Sequence, residues 1–210
     1  MTRIAGVSAR KAGLRVKLAF YFVRRNMAQL AGREPERLLE PAELLAHAPG
    51  LLLAYGMLEW ATAKLERVDE RLRFLAELKA ATLTQCEYCI DLGSQVARRA
   101  GLSDGQLLAL SQYRESELFT DLEKLVLDYA VGMSRTPVDV PEALFAKLRE
   151  HFDDAQLMEL TYIIALENLR GRFNLALGVG AAGFSEGMIC AVPATMSESR
   201  AASELLGETK

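Results

Sequence analysis

The sequence predicts an all-α fold: a compact multi-helix bundle with its helices in antiparallel pairs. Three observations predict it. Ala, Leu, Glu and Arg are abundant while aromatic residues make up only 7% of the 210-residue chain, a balance that favours helix over sheet. Helix-start signals recur along the chain. No stretch alternates apolar and polar residues for long enough to make a strand. Half of the residues are hydrophobic and a quarter are charged, which suffices for a proper core and argues against extended disorder.

The elements follow in order. Residues from about Leu14 to Ala31 form a first helix. Pro35 and Pro41 bracket a short helical segment. Ala48-Pro49-Gly50 breaks the chain ahead of an apolar helix from Leu51 to about Leu65. In that helix Leu52, Tyr55, Leu58, Ala61 and Leu65 follow a 3.6-residue period, but Leu51, Leu53, Met57 and Trp60 fall off that face, so burial on several sides is expected. Asp69 to Ala81 comes next, with Leu72, Leu75, Leu78 and Thr82 on one face. A helix ending near Thr82 gives way to another starting at Thr84 or Gln85, which Gly101 closes. Ser103-Asp104-Gly105-Gln106 and Thr120-Asp121-Leu122-Glu123 are capping boxes, the second opening a helix to about Ser134. Asp139-Val140-Pro141-Glu142 is a third, box-like start, with proline where its missing N–H costs nothing. Asp153 or Asp154 caps a long last helix whose face includes Leu157, Leu160, Ile164, Leu166 and Leu169. Gly178, Gly180 and Gly183 end regular structure.

The charge is unevenly placed. The net charge of −3 argues against a general nucleic-acid binder. Residues 1–33 nevertheless hold eight bases (Arg3, Arg10, Lys11, Arg15, Lys17, Arg24, Arg25 and Arg33) and no acid, leaving 17 bases against 28 acids in the rest. This arm is expected to pack on the acidic body or a partner subunit. The competing reading is a weak membrane-surface contact, because Leu18, Phe20, Tyr21, Phe22 and Val23 sit among the bases. No apolar run approaches the ~20 residues of a membrane span, and no signal-peptide pattern opens the chain. A cytoplasmic protein is therefore expected, with a basic helical arm over 1–44, a helical domain over 45–184 and a tail over 185–210.

Cysteine usage carries the chemistry. There are three, Cys86, Cys89 and Cys190, an odd number that argues against a structural disulfide framework. Two are spaced Cys86-Glu87-Tyr88-Cys89 at the predicted helix start. Cys86 then lies in the first turn and Cys89 one turn later on the same face. The unpaired amides and partial positive charge of a helix N-terminus favour a thiolate, most of all at Cys86. The spacing also lets the two sulfurs join, so the pair has the geometry of a redox couple. Inert packing of two small apolar side chains is the alternative. No second cysteine pair is present and neither His47 nor His151 has ligand spacing to the first, so no metal and no cofactor are expected.

Ala80-Ala81 through Gly101, centred on Cys86-Glu87-Tyr88-Cys89-Ile90-Asp91-Leu92, resembles the alkylhydroperoxidase D-like and carboxymuconolactone decarboxylase superfamily. Three further stretches are similar: Leu122-Glu123-Lys124 to Asp128-Tyr129-Ala130, Thr136-Pro137-Val138, and Glu159-Leu160-Thr161 to Arg172-Phe173-Asn174. The resemblance spans about residues 45–180. It implies the alkylhydroperoxidase D-like type of bundle and a homo-oligomer in which neighbouring subunits complete the packing; the helices without an evident polar face, Leu51 to Leu65 and Leu157 to Leu169, separately predict a dimer or trimer. It implies a peroxiredoxin-like antioxidant activity in which Cys89 forms the sulfenic acid and Cys86 is its partner, recharged by a thiol reductant, either a protein or a small thiol.

Two members of the family's proton relay are missing. The position of its His, four residues after the second Cys, holds Gly93, and that of its Glu, twelve before the first, holds Phe74. Glu77, Tyr88 and Asp91 are the nearby candidates for catalytic roles, although Glu77 also reads as a solvated helix residue and Asp91 as a partner of the next turn. Asn168, Arg170 and Arg172 cluster on the long helix, where Asn168 and Arg172 are candidates for binding substrate and the two arginines could hold a substrate carboxylate or stabilise a thiolate; ion pairing of the late arginines with Glu167, Glu159 or a subunit neighbour competes. Cys190 is either a resolving thiol or placed by chance. The leading function is a thiol-dependent oxidoreductase that reduces peroxides or exchanges disulfides. The alternatives are a carboxymuconolactone decarboxylase-like lyase on a small carboxylic acid and a relay-deficient, non-enzymatic oligomer.

Overall fold

Asp69, Ser103, Thr120 and Asp153 each begin a helix, because each side chain accepts a hydrogen bond from first-turn amides that no carbonyl can reach. The last three are reciprocal boxes closed by Gln106, Glu123 and Gln156. A computed structural model describes residues 2–193. Its helices are α1 (Leu14–Ala31), α2 (Glu40–Leu45), α3 (Pro49–Thr62), α4 (Glu70–Thr84), α5 (Glu87–Arg99), α6 (Asp104–Ala109), α7 (Asp121–Ser134), α8 (Glu142–His151) and α9 (Asp154–Leu177). No strand occurs among the described residues.

The starts of α2 and α8 differ from expectation, and α3 begins at Pro49 rather than Leu51. α2 does not lie between Pro35 and Pro41 but carries Pro41 in its own first turn, where a missing N–H breaks no bond. α8 has Pro141 as its N-cap without a side-chain cap, because Asp139 is committed to Arg135.

α4 is the hub and packs against α5, α7 and α9. It buries two faces at once. Leu75, Leu78 and Ala81 enter one core with Phe20, Leu52 and Phe184, whereas Leu72, Ala76 and Ala80 enter a second with Val126, Leu148, Leu160 and Ile164. The first core is continuous across both ends of the 45–184 segment. Val16, Phe20 and Ala31 of α1 join it at one end, and Ala191 joins it at the other. In the expected tail over 185–210, Ser185 and Ala191 are buried while 186–189, 192 and 193 are exposed; residues 194–210 lie outside the described residues. Among the described residues no helix is long and apolar enough to cross a membrane.

Candidate active site

The reactive pair sits where α4 hands over to α5. Gln85 ends α4 in the left-handed region, at φ 58°, an uncommon conformation for a residue with a Cβ. The chain reverses there, and Cys86 becomes the N-cap of α5. α5 thus begins two or three residues later than the Thr84 or Gln85 start the sequence suggests, and Cys86 precedes its first turn, because α4 runs on through Thr84. The Cys86 sulfur takes the part usually played by a serine or aspartate oxygen and accepts the Cys89 N–H at 3.3 Å. The two Cα atoms lie 5.2 Å apart and the sulfurs are joined as a disulfide. Cys86 is 0% exposed and Cys89 7%.

α9 delivers a third group. Gly171 lies so close to α4 that a Cβ there would stand 2.9 Å from the Thr84 Cβ. One turn beyond it the buried Asn174 places its amide nitrogen 3.6 Å from both sulfurs. Asn174 is thus positioned to donate to whichever sulfur carries charge.

The same stripe of α9 holds a partly buried charge cluster, with Glu167 at its most buried point. Arg170, one turn before Asn174, donates to both Glu59 oxygens at 2.9 and 2.6 Å and to Glu167 at 3.0 Å, with Glu77 at 3.6 Å. Three carboxylates share one guanidinium. Burial pushes Glu167 up to about 7, assisted by Glu77 and Glu59 and opposed by Arg170. Its Oε1 has no partner among the described residues. Glu77 is raised by burial in the same way, against the pull of Arg170. Burial also lifts Glu59, but the charge and hydrogen bonds of Arg170 outweigh it and hold that carboxyl low.

The remaining sequence candidates fall into two groups. Glu77 joins the cluster instead of facing solvent. Tyr88, expected as catalytic, donates its hydroxyl to the Leu38 carbonyl at 2.6 Å and sets its ring edge-on to Phe184, so it anchors α5 and has no proton free for the sulfurs. Asp91, likewise expected as catalytic, is a clamp. Its carboxylate accepts the backbone N–H groups of Ala182, Gly183, Phe184 and Ser185 at 2.6–3.0 Å and ties the C-terminal segment to α5. Asn168 donates to the Ser134 hydroxyl and the Ile164 carbonyl, and the exposed Arg172 donates to the Thr136 hydroxyl. Two residues along a helix is about 200° of rotation, so these two face away from Arg170 and Asn174. Glu159 accepts the Arg67 and Val68 amides and pairs with no late arginine.

Cys190 is pinned beside the far half of α5, where Ala191 N–H meets the Ser94 hydroxyl and Arg98 holds the Ile189 carbonyl. Gly93, at the position of the family's His, leaves room that Leu78 fills: a Cβ there would lie 3.2 Å from a Leu78 methyl. Of the sequence's late candidates only Arg170 lies in this cluster; Glu59, Glu167 and Asn174 are not among the catalytic or binding candidates of the sequence. Signals for them existed. Glu59 is the single charge in Pro49–Thr62, and 167, 170 and 174 share one helical face. Among the described residues no group of three or more His, Cys, Asp or Glu is arranged to hold a metal ion.

Comparison with known proteins fits this geometry. The model of the carboxymuconolactone decarboxylase family matches residues 49–131, from the start of α3 into α7 and across the cysteine pair. The uncharacterized protein YnjA of Escherichia coli (strain K12) is 37% identical over 171 residues, 80% of this chain and 91% of YnjA. The chain belongs to the carboxymuconolactone decarboxylase family. The uncharacterized protein YdfG of Bacillus subtilis (strain 168) is 28% identical over 120 residues, 57% of this chain and 82% of its own length. Among solved structures, the debrominase Bmp8 without ligand superposes with a TM-score of 0.73 at 20% identity, over 88% of this chain and 94% of that one. The alkylhydroperoxidase AhpD core of a peroxidase-related protein from Ralstonia eutropha JMP134 gives 0.67 at 22%, over 86% and 92%. These structures share the fold, and this family member carries the cysteine pair without the relay His and Glu.

Proposed function

We propose that this protein is a thiol-dependent oxidoreductase that cycles Cys86 and Cys89 between dithiol and disulfide, exchanging disulfides readily and reducing peroxides slowly. The observation that carries the reading is the joined pair capping α5 with the Asn174 amide set against both sulfurs. Cys89, the more exposed of the two residues, is the point of attack for an external thiolate. The bond between the cysteines then breaks and Cys86 leaves as a thiolate, which the Cys89 N–H and the Asn174 amide stabilise. A second thiol of the reductant resolves the mixed disulfide and both cysteines end reduced.

In the oxidising direction the Cys89 thiolate attacks a peroxide oxygen, the O–O bond breaks, and the leaving alkoxide takes a proton to become an alcohol. Cys86 displaces hydroxide from the sulfenic acid, re-forming the disulfide and releasing water. This direction needs a proton at the leaving oxygen. Gly93 supplies none, so peroxide turnover is slow. The homo-oligomer belongs to this reading too, supported by the outward apolar side chains Leu51, Met57 and Trp60 of α3 and Met158 and Leu169 of α9. Serine variants test the assignment. Cys89→Ser abolishes both peroxide and disulfide reduction, and Cys86→Ser stops the cycle after one equivalent of oxidant. Activity toward both oxidants that survives in both variants would overturn it.

A further inference from the structure

The eight bases of residues 1–33 do not find acids on the body of the protein. Among the described residues their one ion pair is Arg24 with the neighbouring Glu34 at 3.2 Å, both half exposed. Arg33 is spent on the Phe184 and Glu186 carbonyls. The arm is held instead by the apolar inner stripe of α1, where Val16, Phe20 and Ala31 are buried in the core.

The opposite stripe of α1 is apolar as well. Leu14, Leu18, Tyr21 and Phe22, spaced i, i+4, i+7 and i+8, share one outward face and are 84%, 56%, 55% and 52% exposed. Arg15 borders this stripe on one side, Lys17 and Arg24 on the other, and Arg25 continues it beyond Phe22. Outward leucine and aromatic side chains between two rows of bases are what the interface of an anionic bilayer accommodates: the rings and methyls enter the acyl boundary while the bases meet the headgroups.

We infer that α1 docks the protein, lying flat, on a membrane surface rich in anionic lipid. Charge selects this occupant over a second copy of the chain. Residues 1–33 hold no acid, so a two-fold contact through the stripe sets the bases of one copy against the bases of the other, and like charges facing each other oppose association. A nucleic acid meets the bases but leaves the apolar stripe in water.

The test is co-sedimentation of the full chain with vesicles of phosphatidylcholine carrying about 30 mol % phosphatidylglycerol, against phosphatidylcholine alone. Binding to the anionic vesicles is expected, with little to the neutral ones, and it falls at least tenfold at about 0.5 M salt. Removing Arg15 and Lys17 together as alanines weakens it roughly 25-fold, and Leu18→Ser with Phe22→Ser weakens it by about tenfold or more. All four side chains face outward, so circular dichroism of the variants stays helical. Equal binding to both vesicle types, or undiminished binding of the serine pair, overturns the inference. So does a mass measurement in which the serine pair dissociates an oligomer that the unaltered chain forms, because a second copy then covers the stripe.

Discussion

Asn174→Leu removes the one side-chain amide that reaches both sulfurs while nearly preserving volume, so folding is retained. The amide nitrogen stands 3.6 Å from each sulfur in a largely buried site, where Asn174 itself is 4% exposed. A hydrogen bond to a charged group contributes about 1.5 kcal/mol at the low end of its range. Its loss raises the thiolate-forming pKa by roughly one unit. Because the reduced form loses that stabilisation and the disulfide does not, the pair becomes harder to reduce, by roughly 30 mV. Two assays read this: titration of thiolate absorbance in the reduced protein, and equilibration against glutathione buffers. A thiol pKa and a potential both unchanged in Asn174→Leu would refute the role given to Asn174.

The other predictions concern the charge cluster and the glycines. Glu167 is held at about 7 by burial, above its ordinary value of 4.5, so the folded protein keeps a proton that the unfolded chain releases between these values. Stability therefore falls as pH rises through that window, by up to about 3 kcal/mol, and Glu167→Gln flattens the fall; urea unfolding at the two ends of the window measures it. Gly171→Ala drives a methyl into Thr84, costs about 1–3 kcal/mol in thermal unfolding and shifts the thiol pKa by displacing Asn174. Gly93→His crowds Leu78 and destabilises by a similar amount, whereas Gly93→His with Leu78→Ala folds and reduces peroxide faster than the unaltered chain in a coupled thiol-oxidation assay.

Much of the fold is legible in the sequence because its signals are local. The bounds of α1 between Gly13 and Gly32, the capping boxes at Ser103, Thr120 and Asp153, and the closing role of Gly178 all depend on residues within four positions of the element they start or stop. The cysteine pair is legible for the same reason. The rest of the site depends on which face of a helix turns inward, and α4 and α9 are covered on several sides. An apolar stripe cannot then decide whether Arg170 and Asn174 or Asn168 and Arg172 point toward the cysteines. Glu77 reads as solvated for that reason, yet it lies beneath α9 against Arg170. Tyr88 and Asp91 look chemical because they neighbour the sulfurs, but their partners, the Leu38 carbonyl and the amides of residues 182–185, are distant in sequence. The basic arm shows the converse case: its charge is legible, and only the packed structure reveals that the bases stay outside the core.

The measurement that bears most directly on the central claim is a thiol count across one oxidation. The fully reduced chain carries three thiols. After one equivalent of a small disulfide or a peroxide, the account predicts the loss of two, a peptide map that joins Cys86 to Cys89, and Cys190 still free to alkylate. Three thiols remaining, or a bond formed through Cys190 in place of the pair, would contradict it.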